Sequence, residues 1–154
     1  MTDKLDDVDR EILHRIQDDA RNNSNSEIAE DVGVSPSTIS KRIKKLERSN
    51  IISGYTPNID YNAAGYPLHV LFICNTPITE RAGVIEQVLE IPGVVNVKEL
   101  MSGNQNLHIE VVGREHEDIT QLAIEIGDIG AQIIEEVLVK SEAGKPASVF
   151  KLES

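Results

Sequence analysis

The sequence predicts an α+β protein in two parts, three short helices and then strands and helices in the order β-α-β-β-α-β. Three observations carry this. Apolar residues recur at helical spacing as far as about Asn50, with capping residues between the runs. A stretch of turn formers follows, "IISGYTPNIDYNAAGYP", punctuated by Gly54, Pro57, Gly65 and Pro67. Beyond it, short Val- and Ile-rich runs alternate with helical ones. Apolar residues make up 40% of the chain but aromatics only 3%, so both cores must be built from Ile, Val and Leu.

Residues 5–21 read as an amphipathic helix capped by Asp6, with Val8, Ile12, Leu13 and Ile16 on one face. "RNNSN" breaks it. Ser24 and Glu27 form an S-x-x-E capping box that opens a second helix with Ile28, Ala29 and Val32, and Gly33 suits a left-handed end. A third helix starts at once, with Ser35 as N-cap and Pro36 in the first position. Its apolar stripe is Ile39, Ile43 and Leu46, and Asn50 terminates it. Residues 51–60 are expected to form a short strand or wing. The domain limits are then 1–60, a linker at 61–66, and 67–154.

In the second part, "LHVLFICN" reads as a strand and residues 79–91 as a helix with Ile85, Val88 and Leu89. "PGVVNVKELM" is a strand, "SGNQN" a turn and "LHIEVVG" a third strand. Residues 114–130 form a helix with Ile119, Leu122, Ala123 and Ile126 on one face, and "AQIIEEVLVKS" is the last strand. The order is that of a ferredoxin-like split βαβ domain. Val70, Phe72 and Cys74 share one face of the first strand and Leu71 and Ile73 the other. Two helices cover one face of such a sheet, so the other calls for a second subunit.

Charge gives the first part its chemistry. The formal net charge is -11, yet residues 35–50 hold five bases against the single acid Glu47. Residues 61–154 hold six bases and fourteen acids. Fields are screened within roughly 10 Å at moderate salt, so the local patch governs what binds there. The second and third helices, separated only by "GVS", make a helix-turn-helix, with Ala29 and Gly33 permitting close approach and Ile28, Val34 and Ile39 locking it. The hydroxyls of Ser35, Ser37, Thr38 and Ser40 are placed to reach base edges or phosphates. Lys41, Arg42, Lys44, Lys45 and Arg48 are placed to neutralise phosphates. A solvated charged face on a helical bundle is the plain alternative, but cap, turn glycine, packing residues and basic face rarely coincide without a nucleic-acid role.

The segments "LDDVDREIL", "EIAEDVGVSPSTISKRIKKLE", "IISGYTPNID" and "IPGVVNVKELMSGNQNLHIEVVG" together resemble the Lrp/AsnC, or feast/famine, family of transcriptional regulators over nearly the whole chain. The resemblance implies an N-terminal winged helix-turn-helix and a ferredoxin-like βαββαβ domain of the RAM type. It further implies promoter DNA as partner, homodimers that assemble further, often to octamers, and amino acids as the usual effectors. Family members commonly carry a Gly-x-aromatic-Asp turn that takes part in effector binding. Here the matching turn is Ser102, Gly103, Asn104, Gln105 and Asn106, with Gln105 in place of the aromatic and Asn106 in place of the carboxylate. A carboxylate pairs with a ligand ammonium; an amide has no charge to offer. The bland reading of the same residues is a polar hairpin turn in which Gly103 supplies a positive φ.

Other chemistries find little support. No phosphate-binding loop, dinucleotide fingerprint or nucleophile elbow is present, so no enzyme and no cofactor are expected. His69 and His108 fall on strands and would make a metal or pH-sensing pair if they met across the sheet, but two ligands do not make a structural zinc site. Cys74, the single cysteine, excludes an internal disulfide and reads as an inert core thiol. With no apolar leader or membrane-length run, a cytoplasmic location is expected. The competing functional reading is a small-molecule-binding module that regulates a protein partner, with the helices as a docking element. The acidity elsewhere fits a high-salt cytoplasm or an ordinary acidic protein.

Overall fold

The computed structural model of the chain describes residues 4–152. The domain limits expected at 1 and 154 lie outside the described residues. Five α-helices and four strands run in the order α1 (Asp7–Asp18), α2 (Asn25–Val32), α3 (Pro36–Arg48), β1 (Leu68–Asn75), α4 (Arg81–Leu89), β2 (Val94–Glu99), β3 (Leu107–Gly113), α5 (His116–Ile129) and β4 (Gln132–Leu138). A single 3-10 turn, Ser148–Phe150, follows. The chain divides into two compact units. The first holds the described residues up to Pro57 and those from Ala143 onward; the second is Asn58–Glu142.

The first unit is a three-helix arrangement whose ends follow from local chemistry. Asp6 and Asp9 form a reciprocal capping box at the start of α1, and Ser24 and Glu27 form another at α2. Gly33 closes α2 at φ 78°, a left-handed conformation in which a side chain is strained, and Asn50 closes the end of α3 in the same region at φ 56°. Ile12, Leu13, Ile28, Ala29, Ile39 and Leu46 are buried together as the core. Val34, Ile43 and Ile52 pack against it. The segment expected to be a strand or wing carries no strand pairing: residues 53–60 run without regular structure. Hydrogen bonds from the Ile51 and Ile52 N–H groups to the Leu46 carbonyl hold its start beneath α3.

The last residues depart from the expected domain limit. Phe150 packs against the helical core, Arg10 Nη1 donates to the Val149 carbonyl at 3.3 Å, and the Ala147 N–H donates to Gln17 Oε1 at 3.1 Å. An apolar ring with a home on α1 outweighs the short tail's proximity in sequence to β4.

The second unit is a four-stranded antiparallel sheet in the order β2-β3-β1-β4. Phe72, Cys74, Leu107, Ile109, Val111, Val84, Val88, Ile119 and Ile126 form its core beneath α4 and α5. Gly113 makes the close approach possible, since a Cβ there would lie 2.9 Å from Ile119 Cδ1. Arg81, Val84 and Val88 take the inner positions of α4, which leaves Leu89 53% exposed. On the face away from the helices, Leu71 and Ile73 lie opposite Glu110 and His108, with Val137 beside Leu71.

Candidate nucleic-acid interface and sensor turn

Ser35 organises the entry to α3. Its hydroxyl accepts from the Thr38 N–H at 3.2 Å and lies 2.9 Å from the Ser37 and 2.8 Å from the Thr38 hydroxyl oxygen. Three hydroxyls therefore cluster at a helix N-terminus, where backbone N–H groups and the helix dipole favour an anion. Behind them, an α-helix advances about 100° per residue, so Ser37, Lys41, Lys44 and Arg48 fall within about 60° of one another. Lys41, Lys44 and Arg48 are all exposed. Ser40 flanks this stripe and is half-buried, and Lys45 is exposed on its other side.

Arg42 does not join them. Its Nη1 donates to Asp6 Oδ2 at 2.5 Å and Asp9 Oδ1 at 3.3 Å, joining α3 to the cap of α1. The bond to Asp6 holds the guanidinium above its ordinary pKa, which leaves it charged throughout. Asp6 is lowered in turn, chiefly by the Asp9 N–H and further by Arg42, against the opposing effect of burial. The helical angle could have revealed this, because Arg42 lies about 40° from Leu46, at the edge of the buried stripe, and not on the basic face.

The turn expected to bind an effector is arranged differently from its expected geometry. Gly103 has no positive φ; Gln105 takes it, at 52°. The reason is local: the Asn104 side-chain oxygen accepts from the Gln105 N–H at 3.1 Å, and Ser102 Oγ bonds Asn104, so the bend falls late. Ser102, Gly103, Asn104 and Gln105 are exposed, whereas Asn106 is only 2% exposed. Asn106 Oδ1 accepts from the Thr76 N–H at 3.0 Å, its Nδ2 donates to Asn75 Oδ1 at 2.9 Å, and its carbonyl accepts from Leu100 at 2.8 Å. It is a bracket between three chain segments.

The histidine pair does not form. His69 stands opposite Val112 and His108 opposite Ile73, four residues apart along β1 or about 13 Å. His69 Nε2 instead lies 3.2 Å from Glu110 Oε2, with Tyr61 edge-on to its ring. Burial pushes the Cys74 thiol up to about 12, so it is a packed, unreactive group. No helix among the described residues is long and apolar enough to cross a membrane.

A residue that sequence reasoning missed is Arg81, 8% exposed at the first position of α4. Its signal was a base at i in an i, i+3, i+7 stripe completed by Val84 and Val88.

Known proteins agree with this geometry. Residues 5–53 match the family model described as winged helix-turn-helix DNA-binding. The chain is 32% identical over 124 residues to the HTH-type transcriptional regulator AldR of Mycolicibacterium smegmatis, covering 79% of this chain and 71% of that one. It is 42% identical over 65 residues to the leucine-responsive regulatory protein of Rhizobium meliloti, covering 42% and 41%. The crystal structure of MtbAldR superposes with a TM-score of 0.75 at 28% identity over 93% of this chain and 99% of that one. A helix-turn-helix with a basic outer stripe, joined to a β2-β3-β1-β4 sheet and related over most of its length to such regulators, belongs to the Lrp/AsnC family of transcriptional regulators.

Proposed function

We propose that the chain binds promoter DNA sequence-specifically as a dimer or higher oligomer, with α3 in the major groove, and that a small ligand at the α/β unit modulates it. The stripe Ser37, Lys41, Lys44 and Arg48 carries this reading, because it puts a hydroxyl at the leading end of α3 and cations along its exposed length. The cations take phosphates and set affinity, while Ser35, Ser37, Thr38 and Ser40 lie where base edges are read. Lys45 belongs with the phosphate group by position. Arg42 is assigned to holding α3 against α1.

The dimer rests on the uncovered sheet face. Leu71, Ile73 and Val137 are apolar there, and Val137 is 40% exposed. A second copy laid on the same face makes a symmetric contact, and a symmetric dimer of helix-turn-helix proteins reads a pseudo-palindromic site with half-sites one DNA turn or a multiple apart. Ser102 to Gln105 offer the ligand its polar surface; Asn106 supports them from below.

The test is the triple variant Lys41→Ala, Lys44→Ala, Arg48→Ala, titrated against operator and unrelated DNA across a salt series. Affinity should fall for both DNAs, and the slope of log K against log salt should shrink by roughly one unit per cation removed. An unchanged slope would remove α3 from the interface. Fragmented genomic DNA recovered by the protein supplies the operator, and enrichment of a few palindromic promoter sites is the expected outcome.

A further inference from the structure

Four chain segments meet at the root of the β2–β3 turn. They contribute Thr76, just after β1; Arg81, which opens α4; Glu99, which ends β2; and Asn106, just before β3. Thr76 is 0% exposed and Arg81 8%. Asn106 has both ends of its amide engaged, as described above. Arg81 is less well provided for.

A guanidinium carries five N–H donors in a planar fork. Here Nη1 reaches Glu99 Oε1 at 3.4 Å and Nη2 reaches the Thr76 carbonyl at 3.3 Å. Arg–carboxylate hydrogen bonds are ordinarily about 2.7–2.9 Å and N–H to carbonyl bonds about 2.7–3.2 Å, so the Glu99 contact is long and the Thr76 contact slightly so. Nε is buried with no acceptor among the described residues, and so is the hydroxyl of Thr76, whose carbonyl Arg81 holds. A buried charge needs a close, well-oriented counter-ion. Glu99 is a loose one, with its own side chain 53% exposed. Its carboxylate therefore stands where another carboxylate could stand, and its exposed chain is free to swing out to water.

We propose that Thr76, Arg81, Glu99 and Asn106 form a binding site for the carboxylate of a small organic acid, which enters by displacing Glu99 from Arg81. This deepens the reading of the α/β unit as a sensor, and rests on it, by giving the ligand an anionic anchor at the base of the Ser102–Asn106 turn. The protein supplies the cation. The site needs a carboxylate and not an ammonium, which accounts for a neutral Asn106 at the end of that turn. A 2-oxo acid and the matching amino acid share this chemistry.

The experiment uses the full chain and two probes of equal size, pyruvate and alanine, read by thermal shift and calorimetry up to about 10 mM, past the millimolar range of weak ligands. At least one probe should raise Tm with saturation. Glu99→Gln, on an exposed side chain, should tighten binding by up to about fivefold by removing the competing anion. Arg81→Lys keeps the charge but loses the fork, and should weaken binding by roughly thirtyfold or more. Thr76→Val should raise Tm without ligand, because it deletes an unpartnered buried hydroxyl, and should reduce the ligand-induced shift. Binding of pyruvate alone, or of both probes, identifies the carboxylate as sufficient; binding of alanine alone overturns that point. No shift in either the parent or Glu99→Gln, or a shift that Arg81→Lys leaves intact, overturns the site. Operator affinity measured alongside separates the two readings. Arg81-dependent binding with unchanged operator affinity would leave the site standing and remove its regulatory role. Operator affinity that responds to a probe independently of Arg81 would do the reverse.

Discussion

In α3 every group offered to solvent lies between Ser35 and Arg48, whereas the cluster beneath the β2–β3 turn draws Thr76, Arg81, Glu99 and Asn106 from four separate segments. The first surface is written in local code: a cap, a first-turn proline, and cations four, seven and eleven residues after Ser37. The second exists only when strand pairing has brought residues from different parts of the chain side by side. A surface of the first kind survives a weakened core for as long as its helix does. A cluster of the second kind is lost with the sheet that assembles it.

The largest effect that would break this comparison is Phe72→Ala. Phe72 is 0% exposed at the centre of β1, and its truncation should cost about 3–5 kcal/mol. Urea unfolding should lose a large part of its midpoint, and the exchange protection of the Thr76 N–H at the root of the turn should disappear. Ile39→Ala in α3, also 0% exposed, should cost about 2–5 kcal/mol and abolish DNA binding first. If Phe72→Ala spared the turn while Ile39→Ala disrupted it, the distinction between the two surfaces would fail.

Asn106→Leu follows. It preserves volume but strands the Thr76 N–H and the Asn75 side-chain oxygen, at a cost of about 1–3 kcal/mol for the buried donor. Hydrogen exchange at Thr76 should accelerate, whereas α3 amides should not change. A neutral result would mean that the turn is not anchored through Asn106.

How far each surface could be read beforehand follows the same division. Asp6, Ser24, Gly33, Ser35 and Asn50 mark helix ends in the sequence and mark them in the structure, because a cap involves only neighbours within a few residues. The strand "LHVLFICN" coincides with β1 from Leu68 to Asn75, since a Val- and Ile-rich run bounded by polar residues has few other homes. The turn was legible as a turn, but its positive φ went to Gln105 instead of Gly103, decided by side-chain hydrogen bonds of Ser102 and Asn104. Arg81 carried a faint signal, and its partners Thr76 and Glu99 carried none, because only the fold makes them neighbours. The lack of strand pairing at residues 51–60 and the return of Phe150 to α1 were hidden for the same reason.

A smaller effect sharpens the local side of the comparison. Ser35→Ala removes the acceptor of the Thr38 N–H and should cost about 1 kcal/mol, whereas Ser35→Gly should cost a few tenths. Calorimetric Tm values would separate the two. If the cap only holds the helix start, DNA affinity should track those losses. Affinity that falls equally in both variants would instead assign the Ser35 hydroxyl a direct contact with DNA.

The smallest effect concerns the one cation of α3 that faces inward. Arg42→Ala removes a half-exposed pair with Asp6 and Asp9, which at such exposure contributes about 0–1 kcal/mol. Asp6 has its folded pKa lowered from 3.8, so its contribution is complete above that value and is lost as pH falls through the folded pKa. Without Arg42 that lowering is reduced but not abolished, because the Asp9 N–H remains its largest cause. The variant should therefore unfold slightly earlier at neutral pH, while the gap to the parent narrows below about pH 4, where unfolded Asp is protonated. Lys44→Ala should do the opposite on both counts, leaving Tm and its pH profile unchanged while lowering DNA affinity and its salt slope. Two cations two residues apart on one helix would then separate cleanly, one holding the fold and the other meeting the phosphate. If Arg42→Ala reduced the salt slope as Lys44→Ala does, the guanidinium would have to leave Asp6 when DNA arrives, and the pair would be a latch rather than a strut.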